Sequence, residues 1–366
     1  VVSALEGRIL VDGRFVRGAL HIVDGCVKGI EERAAPERFV LPGFVDVHVH
    51  GGGGHDCMDG EEGVLGLARF HARHGTTSLC PTTVTSGEED LARAVRGVAS
   101  AARRALPGVA RVLGAHLEGP FISERRLGAQ PPRARLPDRA FVERLLALGP
   151  IAVVTLAPEL EGALELVSLL GARGVRASLG HSDCGFEQAR AAFEQGARGA
   201  THLFNAMSGL HHRTPGLAAA ALEAEGAFLE LILDGHHVHP ALVRLALRAA
   251  KGRVLLVTDA IRAAGQGEGA TELGGQRVLV RGGRATLEDG TLAGSVLTLD
   301  VALRNAAACG VSLEAASDLL SRNPADYLGR ADLGRFSAGA RADALVLRDD
   351  LTLERVVVGG VDVPLA

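Results

Sequence analysis

The chain changes its apolar rhythm twice. Near its start, Arg8–Val11, Phe15–Val16 and Ala19–Val23 are short strand-like runs. They are separated by Asp12-Gly13 and Asp24-Gly25, dipeptides that suit two-residue hairpin turns because both turn positions need positive φ. Near its end, Ala344–Leu347 and Arg355–Val358 repeat the pattern, with Gly359-Gly360 as a turn. Neither end carries enough strands to stand alone. The two are therefore expected to pair into one small β-sandwich.

Between them, short apolar runs alternate with amphipathic stretches. The runs Phe44–His50, Thr77–Pro81, Arg111–Glu118, Ala152–Ala157, Arg176–His181, Gly199–Phe204, Phe228–Asp234 and Arg253–Asp259 predict strands. Glu61–His74, Glu88–Ala105, Asp138–Leu148, Leu160–Arg173, Phe186–Gln195 and Pro240–Ala250 predict helices, with later ones over Leu297–Cys309 and Leu313–Arg322. Strands each followed by helical sequence predict an α/β fold, a (β/α)8 TIM-type barrel. The expected division is a β-sandwich from 1–40 plus 336–366 and a barrel from 41–335.

Composition narrows the class. The chain has 366 residues, 47% hydrophobic and 22% charged, as a globular protein does. Its net charge of −4 excludes a strongly basic nucleic-acid binder. No apolar run approaches the roughly 18 residues that a membrane span requires. The five cysteines are scattered and form no CxxC pair, which predicts no disulfide framework and a reducing cytoplasm. The 14 histidines are concentrated in a few segments.

Those segments fall at the ends of predicted strands, the face where barrel active sites lie. His48 and His50 are two apart, so they project to one side of a strand and could share a cation. His116 and Glu118 alternate likewise, Glu118 as a candidate carboxylate ligand and His116 as a partner behind it. His181, His202 and Asp259 each close a strand. His237 follows the seventh strand, and Arg213 lies in His211-His212-Arg213-Thr214-Pro215-Gly216. His71 and His74 sit on a predicted helix away from this face and read as structural, as do Cys57 and Cys184. Gly51–Gly54 reads as a tight turn beside the site.

The segments LPGFVDVHVHGGGG (41–54), HLEGPFIS (116–123), GHSD (180–183), THLFNAMSGLHHRTPG (201–216), LDGHHVHP (233–240), LVTDA (256–260) and DGTLAGSVLTLD (289–300) resemble the N-acetylglucosamine-6-phosphate deacetylases of the amidohydrolase superfamily. The resemblance runs nearly the whole chain in order. It implies hydrolysis of the N-acetyl amide of N-acetylglucosamine 6-phosphate to glucosamine 6-phosphate and acetate. It also implies that Glu118, His181 and His202 hold a divalent metal and that Asp259 is the catalytic general base and acid, close to the metal. Asn205 and Ala206 match sugar- and phosphate-contacting positions. Arg213 and His237 match residues that bind the 6-phosphate from the neighbouring subunit, which implies a homodimer.

Two departures matter. Some members replace the paired histidines by neutral residues and hold one metal, whereas His48 and His50 allow a second here. Some single-metal members carry a carbonyl-polarising histidine where this chain has Gln130. A second cation would replace that lost charge, with Gln130 as a hydrogen-bond donor to the substrate. The ligand set suits zinc first, with iron, manganese or cobalt compatible. The competing readings are a cyclic amidase or deaminase on the same barrel, or a non-catalytic sugar-phosphate binder.

Overall fold

The computed structural model describes residues 2–104 and 106–365. Eight parallel strands follow one another around a barrel: Phe44–Val49, Thr76–Thr83, Ala115–Glu118, Ile151–Leu156, Arg176–Leu179, Gly199–Ala200, Phe228–Ile232 and Val254–Val257. Ladders join them in chain order from first to eighth. The seam between eighth and first is closed at its C-terminal end. There the Asp259 amide donates to the His48 carbonyl (2.9 Å), the His50 amide to the Ala260 carbonyl (2.9 Å), and Thr258 Oγ1 to Asp46 (2.6 Å).

The helices lie outside the strands, and their sequences explain their faces. Glu88–Arg104 buries Leu91, Val95 and Val98, which recur every three to four residues, and opens with three acids and ends with two arginines, complementing its dipole. Its expected last residue, Ala105, lies outside the described residues. Arg139–Leu146 starts where the Asp138 side chain accepts from the Phe141 amide at 3.0 Å.

Several expected strands stop early, and three of them do so just before a site residue. The fifth ends at Leu179, the sixth at Ala200 and the eighth at Val257. Beyond each end a site residue takes left-handed backbone: His181 at φ 46°, His202 at φ 32° and Asp259 at φ 48°. Non-glycine residues resist this conformation, and it persists where the surroundings over-determine it. Asp259 is so held, its amide on His48 and its carbonyl receiving the Ser295 amide at 2.8 Å.

Both chain ends meet in one seven-stranded sheet, made from Ala4–Val11, Arg14–Val23, Cys26–Glu32, Phe39–Pro42, Ala344–Leu347, Leu353–Val358 and Val361–Asp362. The sheet curls so that the turn before Cys26–Glu32 meets the segment leading into Ala344–Leu347, the Ala342 amide donating to the Gly25 carbonyl at 2.9 Å, while the Val2 amide donates to the Gly360 carbonyl at 2.8 Å. The curl encloses Leu5, Ile9, Leu20, Val40, Val346 and Val357. The expected two-layer piece is thus one continuous sheet folded over itself.

Several elements have no counterpart in the sequence reading, among them the strand Cys26–Glu32 and the helix Leu217–Glu223, and one group of them borders the barrel mouth. Gly269–Leu273, Gln276–Arg281 and Arg284–Thr286 form a three-stranded antiparallel sheet after the eighth barrel strand. Its turns are Gly274-Gly275 and Gly282-Gly283, all four at positive φ as such tight hairpins demand. Leu273, Val278, Val280 and Ala285 bury one face against Val84, Ala129 and Ile261 beside the barrel mouth.

Candidate active site

His48 and His50 project from the same side of the first strand, their Nε2 atoms 3.4 Å apart. The far nitrogen of each ring is engaged: His48 Nδ1 with Glu230 Oε2 at 2.9 Å, and His50 Nδ1 with the Thr82 carbonyl at 3.2 Å. Both Nε2 atoms therefore aim at the barrel axis. Glu118 closes the third strand and is buried. Its Oε1 lies 3.0 Å from Nε2 of both His181 and His202, and its Oε2 lies 3.2 Å from His50 Nε2. Asp259 Oδ1 stands 3.2 Å from His50 Nε2 and 3.5 Å from His48 Nε2.

Proton bookkeeping tests whether this set fits a metal. His181 Nδ1 faces the Arg126 carbonyl at 2.9 Å, so it must carry the ring proton. The neutral ring then points its Nε2 lone pair at a carboxylate oxygen 3.0 Å away. His50 is placed the same way, between the Thr82 carbonyl and two carboxylates. Acceptors facing acceptors require an added proton or a cation between them. Among the described residues, three groups have all donor atoms within 4.8 Å of one another: Glu118 with His181 and His202, Glu118 with His48 and His50, and, behind these, His48 with His116 and Glu230. Such buried His and carboxylate donors fit a divalent metal.

The electrostatics agree. Burial alone would lower His48, but the Glu118 and Asp259 charges outweigh it and hold the ring well above the usual imidazole range. His50 is likewise opposed by burial and pushed up to about 9 by Asp259 and Glu118. Burial would raise Glu118 and Asp259, yet the surrounding imidazoles hold both below the usual carboxylate range. The carboxylates thus draw positive charge to the spot where a cation would sit.

A cavity of about 210 Å³ opens on this cluster, with His50, Glu118, His181, His202 and Asp259 on its floor. Gln130, Asn205, Ala206 and His237 line its sides, and Leu273, Thr291 and Leu292 from the unexpected sheet and the segment after it complete the wall. Gln130 donates to Glu118 Oε2 and accepts from the Thr85 amide at 2.6 Å. The sheet holds this loop through Gln276, whose Nε2 donates to the Ala129 carbonyl at 2.6 Å. Asn205 turns its Nδ2 onto the His202 and Leu203 carbonyls at 3.2 and 3.3 Å.

His237 and Arg213, which the resemblance pairs at one phosphate, stand apart within this chain. His237 lies on the wall of its own chain's cavity, its Nδ1 2.7 Å from Asp234 Oδ2, and needs no neighbour to be there. Arg213 sits exposed on a loop off this cavity. His116, expected behind the ligands, does abut the His48 ring, with centroids 4.6 Å apart. Its nitrogens are used inside the barrel by the Val47 carbonyl (2.8 Å) and Thr155 Oγ1 (2.7 Å). Sequence reasoning missed Glu230, a buried acid against His48, and Asp234, the partner of His237. A lone acid in the apolar run Phe228–Ile232 was the available signal for Glu230.

A profile described as the amidohydrolase family matches residues 39–363. An N-acetylgalactosamine-6-phosphate deacetylase from Escherichia coli is 42% identical over 354 residues, covering 93% of this chain and 93% of that protein. A human N-acetylglucosamine-6-phosphate deacetylase is 39% identical over 379 residues, covering 97% and 92%. A Mycobacterium smegmatis N-acetyl-D-glucosamine-6-phosphate deacetylase mutant, solved with N-acetyl-D-glucosamine-6-phosphate, superposes with a TM-score of 0.94 at 36% identity, covering 99% of each chain. With a profile over most of its length and relatives aligned nearly end to end, the chain belongs to the amidohydrolase family, in its N-acetylglucosamine-6-phosphate deacetylase branch.

Proposed function

We propose that this chain is a metal-dependent deacetylase that hydrolyses the N-acetyl amide of N-acetylglucosamine 6-phosphate, releasing acetate and glucosamine 6-phosphate. The observation that carries the reading is the convergence of Glu118, His181, His202, His50 and Asp259 on the floor of one cavity, with the His48 ring directly behind His50. A cyclic amidase, a deaminase or a bare sugar-phosphate binder would each leave the acetyl group in place.

Glu118, His181 and His202 would hold one divalent cation, and His48 and His50 with Glu118 Oε2 and Asp259 a second. Zinc suits these donors, with iron, manganese or cobalt as alternatives. A metal held there would supply an acidified water and a sink for charge on the amide oxygen. Asp259 would accept a proton as the amide is attacked and return it to the departing amine nitrogen. Gln130 spends one amide hydrogen on Glu118 and its oxygen on Thr85, leaving one hydrogen for the substrate.

His237 and the backbone of Ala206, with Asn205, would bind the sugar phosphate from within the chain. Arg213 would reach the phosphate of a neighbouring subunit in a homodimer, its planar fork matching phosphate oxygens. The unit from 41–335 would carry the catalysis, and that from 1–40 plus 336–366 would stand apart from it. Free cysteines at 26, 57, 80, 184 and 309 support a cytoplasmic setting.

The 42% identity to a galactosamine-type deacetylase favours a second substrate, the 4-epimer. Parallel assays of both N-acetylhexosamine 6-phosphates, read as kcat/KM for acetate release, test the choice. A higher value for the gluco sugar is expected. A higher value for the galacto sugar would transfer the assignment, and no acetate from either would end it.

A further inference from the structure

The seventh barrel strand, Phe228–Ile232, reads Phe-Leu-Glu-Leu-Ile, and its acid is 1% exposed. Nothing in the proposed reaction uses Glu230, and an unpaired buried carboxylate is costly. Its Oε2 accepts from His48 Nδ1 at 2.9 Å and from the His202 backbone amide at 3.2 Å. Its Oε1 is buried without a hydrogen-bond partner. The Glu230 carbonyl also receives the Leu203 amide at 2.8 Å, fixing the chain just past His202. One side chain therefore touches the ring of a donor in one group and the backbone of a donor in the other.

We propose that Glu230 is a positioning residue for the metal centre: it keeps the His48 proton on Nδ1, so that Nε2 presents a lone pair to the second cation beside His50. The proposal rests on the two-cation reading of the site. It follows from geometry. Without an acceptor at Nδ1, the imidazole is free to rotate or to carry its proton on Nε2, where it blocks a cation. A carboxylate behind a ligating histidine also makes the ring a better donor, and losing such a partner costs about 10–100-fold in metal affinity. Glu118 cannot take this part, because its two oxygens face Nε2 atoms. The contact to His202 is to backbone, so it fixes position and leaves that ring's tautomer alone.

The test uses the full chain, stripped of metal and titrated with zinc, with stoichiometry and affinity read by equilibrium dialysis. The parent is expected to bind two zinc ions per chain. Glu230→Leu removes the acceptor at Nδ1 with little change of size and should weaken one ion by about 10–100-fold, leaving the other within about threefold of the parent. In a His48→Asn background the same substitution should produce no further loss, because Glu230 acts on that cation only through the His48 ring. Two ions bound by Glu230→Leu as tightly as by the parent would overturn the proposal, and so would an equal weakening of both. A parent that binds one ion would remove the two-cation reading along with it.

A second measurement needs no variant. Imidazole ¹⁵N shifts of the zinc-loaded parent should show His48 protonated at Nδ1, and a proton on Nε2 would overturn the proposal even if Glu230→Leu failed to fold. Acetate release by the parent is scored separately. Its absence would end the deacetylase reading and leave the role of Glu230 toward the metal standing on the binding data.

Discussion

Asp259 Oδ1 stands 3.2 Å from Nε2 of His50, so the proposed proton carrier and the paired-histidine arm meet at a single point on the cavity floor. Asp259 is backbone-locked there at φ 48°. Asp259→Asn keeps the size and removes the basic oxygen. Turnover should fall by at least about a hundredfold, while the cation at Glu118, His181 and His202 is retained on elemental analysis. Substantial residual turnover would remove Asp259 from the proton path.

The second arm can be removed without touching the first. The double variant His48→Asn, His50→Asn should bind one cation fewer per chain and lose kcat more than it gains KM. Full activity at one metal equivalent, unchanged by the double substitution, would show that the kept histidines are idle.

His237 gives a pH dependence with a definite sign. Burial would lower its ring, but the bond to Asp234, with the Asp259 charge behind it, holds it above the usual imidazole range. The protonated ring persists upward in pH to that raised value. KM for the phosphorylated sugar should therefore be low below it and climb as pH rises through it. The same linkage acts on folding. Burial would raise Asp234, but His237 holds it below the usual carboxylate range. The pair's stabilisation is fully present between the unfolded pKa values, about 3.9 for Asp and 6.5 for His. It fades as pH falls through the lowered Asp234 value or rises through the raised His237 value. His237→Asn should flatten the KM profile, and an unchanged profile would place the phosphate elsewhere.

Arg213→Ala separates phosphate binding from chemistry. KM for the phosphorylated sugar should rise about tenfold or more, the scale of a lost charge-assisted hydrogen bond, with little change for an unphosphorylated analogue. The exposed position of Arg213 adds a second readout. An inactive Asp259→Asn chain mixed with an Arg213→Ala chain should recover activity through mixed dimers if the residue crosses between subunits.

The barrel was legible because alternation marks strands and three-to-four spacing marks helices, and both patterns survive in isolation. The strand ends were not legible. At His181, His202 and Asp259 the chain leaves the ladder at positive φ under hydrogen bonds from distant segments, such as Ser295 on Asp259. Local sequence does not encode that. The sheet over 269–286 was marked by Gly274-Gly275 and Gly282-Gly283, a signal present but passed over. The candidate ligands were legible as a pattern of His and acid at successive strand ends. Glu230 was not, because its role depends on which ring lies beside it across the barrel. The partner of His237 was not legible either: Asp234 holds its Nδ1 on the cavity wall, a contact set by the turn after the seventh strand.

The central claim is that this chain removes an acetyl group at a metal centre. The direct measurement is acetate formed from N-acetylglucosamine 6-phosphate by purified protein, before and after chelation and again after a divalent metal is restored. The account predicts equal amounts of acetate and glucosamine 6-phosphate, loss of both on chelation and recovery on reconstitution. No acetate from the metal-loaded protein, or release indifferent to chelation in a sample shown to be metal-free, would contradict it.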